Sequence, residues 1–299
     1  MGELTMTNVT VIGLGAMGLP MATHLTKSFD VKVYDINPVA LNKAAAAGAT
    51  PASSLEQAAD GADVVVLIVR DAAQLQSALF GTGGVVDGLA PGSVVVITST
   101  VGETALVRAA DLLHARGILC VDAALSGGPV RAETGDLLIM VGGSPEARSV
   151  TQPVLDALGS TVCVVGDKVG QGQQLKAVNQ LLCGIHTAAA AEALALAHQL
   201  GLDLDMVIDV LGAGAAASFM FADRGPRIAQ QLRGETPPLR SRLDVIGKDM
   251  GIVGDVARER KVSVPLASAA EQLYRMGEAA GLAAEDDSII STLFAASDK

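Results

Sequence analysis

The sequence predicts an α/β chain: a doubly wound parallel sheet in the first half, followed by an all-α second domain. Three observations predict it. Strand-like and helix-like segments alternate from Val9 to about Gly166. The strand-like segments are short, continuous runs of Val, Ile and Leu, as expected for strands buried on both faces. Past Gly166 the strand signal stops and helical periodicity takes over. Alternation of this kind requires right-handed crossovers and a parallel sheet covered by helices. With 299 residues, half of them hydrophobic, the chain is long enough for two domains. The expected division is 1–166 and 167–299, the second domain opening with a long inter-domain helix.

The elements follow in order. VTVI at Val9 is a buried strand, and AMGLPMATHLTK after it reads as a helix. DVKVYDINP is an alternating strand ending in Asp35, followed by the helix NPVALNKAAAAG. SSLEQAAD carries the pattern of a capping box from Ser53 to Glu56. ADVVVLIV, GSVVVITST and ILCVDAAL are strands separated by the helices AAQLQSALF and GETALVRAADLLHARG, with Gly117 as the stop of the second. DLLIMVGG and STVCVVG are further strands. Between them, SPEARSVTQPVLDALG reads as a helix with Ser144 as cap and Pro145 at its first position. The long helix QQLKAVNQLLCGIHTAAAAEALALAHQLG begins the helical half, where GETPPLRS is the clearest loop.

Composition excludes several classes. The net charge of −11 offers no basic stripe for nucleic acid. Aromatic residues make up 2% and Trp is absent, so the core is built from Ala, Val, Leu and Ile. Cys120, Cys163 and Cys183 are far apart and fit neither a disulfide framework nor a C-x-x-C motif, which points to a reducing cytoplasm. His24, His114, His186 and His198 form no metal-ligand spacing. Glu3 followed closely by the first strand does not read as a signal peptide. Apolar runs such as VVVLIV are short and flanked by Asp63 and Arg70, so no membrane span is expected.

Gly13, Gly15 and Gly18 are spaced G-x-G-x-x-G where the first strand hands over to the first helix. Backbone N–H groups of such a loop, from Gly13 through Leu14, Gly15, Ala16 and Met17 to Gly18, can hold a pyrophosphate. Asp35 ends the next strand about 20 residues on, placed to accept hydrogen bonds from an adenosine ribose. The structural alternative is a tight turn with a capping Asp before Pro38. Strand, glycines, helix, strand and acid in sequence favour a dinucleotide-binding Rossmann domain. Asp35 without a following Arg or Lys favours NAD over its 2′-phosphorylated form.

Three further stretches are candidates for chemistry. DAALSGGPVRAETGDL follows a strand, and Ser126, Gly127 and Gly128 offer a hydroxyl and bare N–H groups to a carboxylate; an ordinary glycine turn is the alternative. Lys176 is the only formally charged residue between Leu175 and Ala191. A helix so poor in charge should be largely buried, and a lysine shielded from water can act as acid or base. The alternative is a lysine pointing to solvent from the helix end. At about 100° per residue, Asn179, Gln180, Cys183, His186 and Thr187 fall on the Lys176 side, with Val178, Leu181 and Ile185 packing opposite. In SRLDVIGKDMGIV, Lys248 and Asp249 interrupt an apolar helix, either as a functional pair or as a solvated one.

Together these stretches resemble the β-hydroxyacid dehydrogenase family over almost the whole chain. VIGLGAMGLPMA is similar to its opening signature, VDAALSGGPVRAETGDL to its substrate-binding segment, VGQGQQLKAVNQLL to its catalytic segment and GKDMGI to its late Lys-Asp motif. Two positions depart: Ala124 stands for the usual proline, and Gln180 for the Asn that many members carry four residues after the lysine. Gln180, QLLCGIHTAAAAEALALA, SFMFADR and EDDSII look most like the L-threonate dehydrogenase branch, which acts on a four-carbon sugar acid.

The resemblance implies Lys176 as the catalytic acid–base and Ser126, Gly127 and Gly128 as the carboxylate site. Asn179 and Gln180 would orient the substrate, with Thr100 and Lys248 on the nicotinamide side. 3-Hydroxyisobutyrate, or tartronate semialdehyde and glycerate, are alternative substrates. An imine reductase or a non-catalytic nucleotide-binding module is the further alternative, and retention of Lys176 favours alcohol oxidation. Several neutral hydrogen-bonding groups (Asn179, Gln180, His186 and Thr187) favour a polyhydroxylated acid. No metal, nucleic acid or membrane partner is expected. The apolar helical half suggests a homodimer or homotetramer.

Overall fold

A computed structural model describes residues 7–294. The chain divides into two compact units after Lys176, inside the long helix, where the sequence places the break near Gly166.

The first unit is an eight-stranded sheet of β1 (Val9–Ile12), β2 (Val31–Tyr34), β3 (Thr50–Pro51), β4 (Val64–Leu67), β5 (Val94–Ile97), β6 (Leu119–Ser126), β7 (Leu138–Gly142) and β8 (Thr161–Gly166). The spatial order is β3-β2-β1-β4-β5-β6-β7-β8. Chain direction of growth reverses at β1, between β2 and β4, and ligands of such sheets bind outside the strand ends at that point. The helices of this unit are α1 (Gly18–Leu25), α2 (Pro38–Ala46), α3 (Leu55–Ala59), α4 (Ala72–Phe80), α5 (Val85–Gly88), α6 (Glu103–His114), α7 (Gly128–Thr134) and α8 (Pro145–Leu158).

β1, β4 and β5 are buried along their whole length, which is why their sequences are unbroken apolar runs. One core cluster packs Val9, Val11, Val64, Val94 and Val121 with Met21, Leu25 and Leu155. A second packs Ile12, Val65, Leu67 and Ile97 with Leu75, Leu106 and Leu113. A buried sheet with a core on each face is the doubly wound arrangement expected.

Two local expectations are corrected. β7 pairs antiparallel with β6 and parallel with β8, so the sheet is mostly rather than wholly parallel. The connection from β6 to β7 holds only the short α7 and returns at the same sheet end, whereas a parallel crossover must traverse the sheet. The cap of α3 is Ser54, whose side chain accepts from the Gln57 N–H, not Ser53 with Glu56. Gln57 Oε1 in turn accepts from the Ser53 N–H and hydroxyl. The two serines share the work: Ser54 caps the helix and Ser53, the residue before it, is held by the Gln57 side chain. Ser144 caps α8 as expected, accepting from the Ala147 N–H.

α9 (Gln171–Gln199) is 29 residues long and runs through the division. The second unit adds α10 (Leu204–Gly212), α11 (Phe219–Leu232), α12 (Leu243–Glu259), α13 (Pro265–Ala279) and a 3-10 segment, Asp287–Leu293. Its core packs Ala188, Ala191 and Leu194 of α9 with Ile228, Leu243, Met250 and Tyr274. α9 is long and apolar enough to cross a membrane by length and composition. Its Ala188, Ala190, Ala191, Leu194 and Ala197 instead belong to this core.

Candidate active site

The glycine loop sits at the C-terminal end of β1. Gly13 has φ +92°, and a Cβ there would lie 1.8 Å from the Ile68 carbonyl oxygen. A Cβ on Gly18 would lie 1.8 Å from the Gly13 carbonyl oxygen. These two glycines are therefore required by the close approach of β1, β4 and α1. Gly15 differs: a Cβ there meets nothing within 4 Å, so its backbone stays open to a ligand. No side chain caps α1 at Met17, leaving its first N–H groups for an anion. Asp35 closes the loop: its Oδ2 accepts from the Leu14 N–H at 2.5 Å and its Oδ1 from the Asn37 N–H at 2.7 Å. Ile36 beside it is 91% exposed. A carboxylate held at the end of β2 beside an open glycine is the arrangement that a dinucleotide's ribose and pyrophosphate fit.

The ends of β4, β5 and β6 are joined to the first turn of α9 by a buried polar network. Ser99 Oγ accepts from the Val69 N–H at 2.7 Å. The Gln173 side chain donates to the Ser99 carbonyl at 3.0 Å and accepts from the Val101 N–H at 3.3 Å. It thereby brackets Thr100, the residue expected on the nicotinamide side. Asp122, fully buried in β6, accepts from the N–H groups of Gly170 at 3.1 Å and Gln173 at 2.9 Å. Its charge sits at the positive end of the α9 dipole. Burial pushes the Asp122 carboxyl up to about 6, against the N–H bonds from Gln173, Gly170 and Gly172 that favour its ionised form. Gly172 permits the approach: a Cβ there would lie 2.9 Å from an Asp122 oxygen. Lys176 follows Gln173 by one helical turn and is 7% exposed, as its charge-poor helix predicts.

Sequence reasoning passes over Asp122 and Gln173. The signal for Asp122 is present, a lone carboxylate in the apolar strand ILCVDAAL. Gln173 carries none, because its partners, the backbone at Ser99 and Val101 just past β5 and the carboxylate of Asp122, are far away in sequence.

β6 ends at Ser126, and Gly127 and Gly128 follow with φ +132° and +72°. A Cβ on Gly128 meets nothing within 4 Å, while one on Gly127 would strike the Arg131 side chain. Gly128 is thus an open backbone position beside a hydroxyl, with the chemistry to receive a carboxylate.

Within the second unit, Asn179, Gln180, Lys248 and Asp249 come together. Asn179 Nδ2 donates to Gln180 Oε1 at 2.8 Å, and Gln180 Nε2 donates to Asp249 Oδ2 at 2.6 Å. Lys248 Nζ lies 2.9 Å from Asp249 Oδ1. The pair is therefore not simply solvated, since Asp249 is buried. Thr187 is fully buried beside Tyr274, in the helical core, and is not grouped with these amides. Val178, expected to pack, is 58% exposed, while Leu181 and Ile185 do pack on the core. SFMFADR and EDDSII also meet: Arg224 pairs with Asp287 at 2.8 Å and Arg227 with Asp286 at 2.9 Å. That buried ion network joins α11 to the 3-10 segment. Among the described residues no His, Cys, Asp and Glu cluster could hold a metal ion.

Residues 8–166 match the family described as the NAD binding domain of 6-phosphogluconate dehydrogenase. Residues 170–294 match the NAD-binding domain of NADP-dependent 3-hydroxyisobutyrate dehydrogenase. The L-threonate dehydrogenase of Cupriavidus necator is 39% identical, over 96% of this chain and 96% of that protein. The L-threonate dehydrogenase of Haemophilus influenzae is 37% identical, over 96% of this chain and 95% of that protein. A crystal structure described as 3-hydroxyisobutyrate dehydrogenase from Salmonella typhimurium superposes with a TM-score of 0.88 at 36% identity, covering 96% of this chain and 99% of that one. Glycine loop, Lys176 segment and Lys-Asp pair lie on one chain matched end to end by such relatives, so this NAD-binding oxidoreductase belongs to the β-hydroxyacid dehydrogenase family.

Proposed function

We propose that the chain oxidises the hydroxyl of a four-carbon sugar acid, L-threonate or a close analogue, with Lys176 as the base. One observation carries the choice of base. Lys176 is buried one turn beyond Gln173, whose side chain holds the Thr100 segment, and Asp122 pins the same turn to the strand that ends in Ser126. The only cation on this part of α9 is thus fixed to the strands that end at the two segments expected to meet nicotinamide and carboxylate.

NAD bound at the glycine loop supplies a hydride acceptor. The substrate carboxylate rests on Ser126 Oγ and the Gly127 and Gly128 N–H groups. Neutral Lys176 takes the hydroxyl proton at Nζ while the carbinol C–H leaves as hydride, and the carbon becomes a carbonyl. In reduction, protonated Lys176 returns that proton. Asn179 and Gln180, one turn further along α9, orient the remaining hydroxyls, and Lys248 serves the cofactor. The relatives named as L-threonate dehydrogenases support this substrate. Cytoplasmic location and self-association are part of the same reading. Val178, Leu182 and Leu196 of α9, with Leu200 just past its end, are exposed apolar positions that a second copy would cover.

The test is catalytic efficiency with NAD on L-threonate, D-threonate, D-erythronate, glycerate and 3-hydroxyisobutyrate. A methyl-bearing acid leaves polar site groups unpaired, at about 1–3 kcal/mol each. L-Threonate should lead 3-hydroxyisobutyrate by about 10- to 100-fold. A lead for 3-hydroxyisobutyrate would overturn the substrate assignment.

A further inference from the structure

Gln173 lies in the first turn of α9, 4% exposed, and both ends of its amide are used. Nε2 donates to the Ser99 carbonyl at 3.0 Å and to Asp122 Oδ1 at 3.4 Å. Oε1 accepts from the Val101 N–H at 3.3 Å. One orientation of the amide serves, because turning it over would set its carbonyl oxygen against the Ser99 carbonyl and the Asp122 carboxylate. Beside it, Gln174 Nε2 donates to Glu103 Oε1 at 2.8 Å. Two successive glutamines thus stitch the loop from Ser99 to Glu103 onto α9, on both sides of Thr100.

The same turn is fixed to β6. Asp122 accepts from the Gly170 and Gln173 N–H groups, and β6 runs on from Asp122 to Ser126. Lys176 stands one turn beyond Gln173, on the same side of the helix and about 4.5 Å further along the axis. A helix carries a shift of its first turn to the residues of the next. Gln173 therefore joins the loop of Thr100 and the strand of Ser126 to the helix of Lys176.

We propose that Gln173 is a positioning residue for the oxidation step. It sets the register between Lys176 and the loop of Thr100, and so the distance from the base to the hydroxyl whose carbon faces the nicotinamide. This rests on the assignment of Lys176 as the base and of Thr100 to the nicotinamide side. The proton passes from the hydroxyl to Lys176 Nζ as hydride leaves the carbinol carbon for NAD, and Gln173 takes part in neither transfer. Such transfers need reacting atoms about 3–3.5 Å apart, and a misplacement of about 1 Å costs about 10²-fold in rate. The adenosine and pyrophosphate are assigned to Asp35 and the glycine loop, so loss of Gln173 acts on kcat and spares cofactor affinity.

The test compares Gln173→Met and Gln173→Ala with the wild type. Met keeps the length of the side chain without its hydrogen bonds, and Ala leaves room for water at Ser99 and Val101. In the free protein, amide hydrogen exchange over residues 99–103 should quicken in both variants, while that over residues 9–18 holds. The NADH Kd, by fluorescence titration, should stay within about threefold of wild type. With saturating NAD and the acid that the wild type oxidises fastest, kcat per NADH-binding site should fall about 10²-fold. A role in stability alone would lower the melting temperature and leave kcat per NADH-binding site unchanged, and that result overturns the proposal. A raised KM for NAD with unchanged kcat overturns it too. If Gln173→Met does not fold, Gln173→Ala carries the same criteria. Lys176→Ala in parallel separates the two levels. Retained turnover there defeats the assignment of the base, whereas a dead Lys176→Ala with unmoved kcat in the Gln173 variants defeats the role of Gln173 alone.

Discussion

Replacing Asp122 by Asn should change how stability depends on pH. The carboxyl is fully buried and its pKa is pushed from 3.8 to about 6. A folded-state pKa above the unfolded one means that the folded protein binds the proton more tightly. The protonated carboxyl therefore adds stability at low pH, and this is lost as pH rises from about 4 through 6. The difference corresponds to about 3 kcal/mol. Asp122→Asn is neutral throughout, so it should lack this component. Urea unfolding of wild type and variant, followed at half-unit steps from pH 4.5 to 8, reads it directly. The gap between the two should shift in favour of the variant by about 2 kcal/mol across that range, the remainder lying below pH 4.5. Parallel curves would refute the reasoning. A charge that is costly above pH 6 is retained where it holds the N–H groups of Gly170 and Gln173 at the start of α9.

The remaining predictions concern the cofactor and the carboxylate. Asp35 should repel a 2′-phosphate, so catalytic efficiency with NAD should exceed that with NADP by at least roughly tenfold, about 1.4 kcal/mol; equal efficiencies would contradict this. Gly13→Ala places a methyl against the Ile68 carbonyl and should lower stability by about 2 kcal/mol or more, read by thermal melting. Gly15→Ala has room in the free protein; its melting temperature should hold while NADH binding, followed by fluorescence, weakens. Ser126→Ala should raise KM for the hydroxy acid far more than that for NAD, and unchanged kinetics would remove Ser126 from the site.

The order of elements was legible because β1, β4 and β5 are buried on both faces and their sequences are uninterrupted. The reversal of β7 was not, since its residues are as apolar as those of a parallel strand and only the short return through α7 sets its direction. Ser54 rather than Ser53 caps α3 because two adjacent serines satisfy the same pattern. The burial of Lys176 was legible from the absence of other charges between Leu175 and Ala191. Val178 was misread as packed, because a helical wheel names opposite faces without saying which neighbour covers them. The partnerships of Gln173 with Val101 and of Gln180 with Asp249 join residues far apart in sequence. No local pattern encodes them. SFMFADR and EDDSII were visible as motifs, but their meeting through Arg224, Arg227, Asp286 and Asp287 required the fold.

The most direct measurement of the central claim is turnover of Lys176→Ala with NAD and L-threonate, alongside NADH affinity by fluorescence. Loss of the base should lower kcat by about 10²–10⁴-fold, with the NADH Kd within about twofold of wild type, because the glycine loop and Asp35 are untouched. Lys176→Arg should not restore turnover, since a guanidinium stays protonated at working pH. A Lys176→Ala protein that retained most of its turnover would contradict the account.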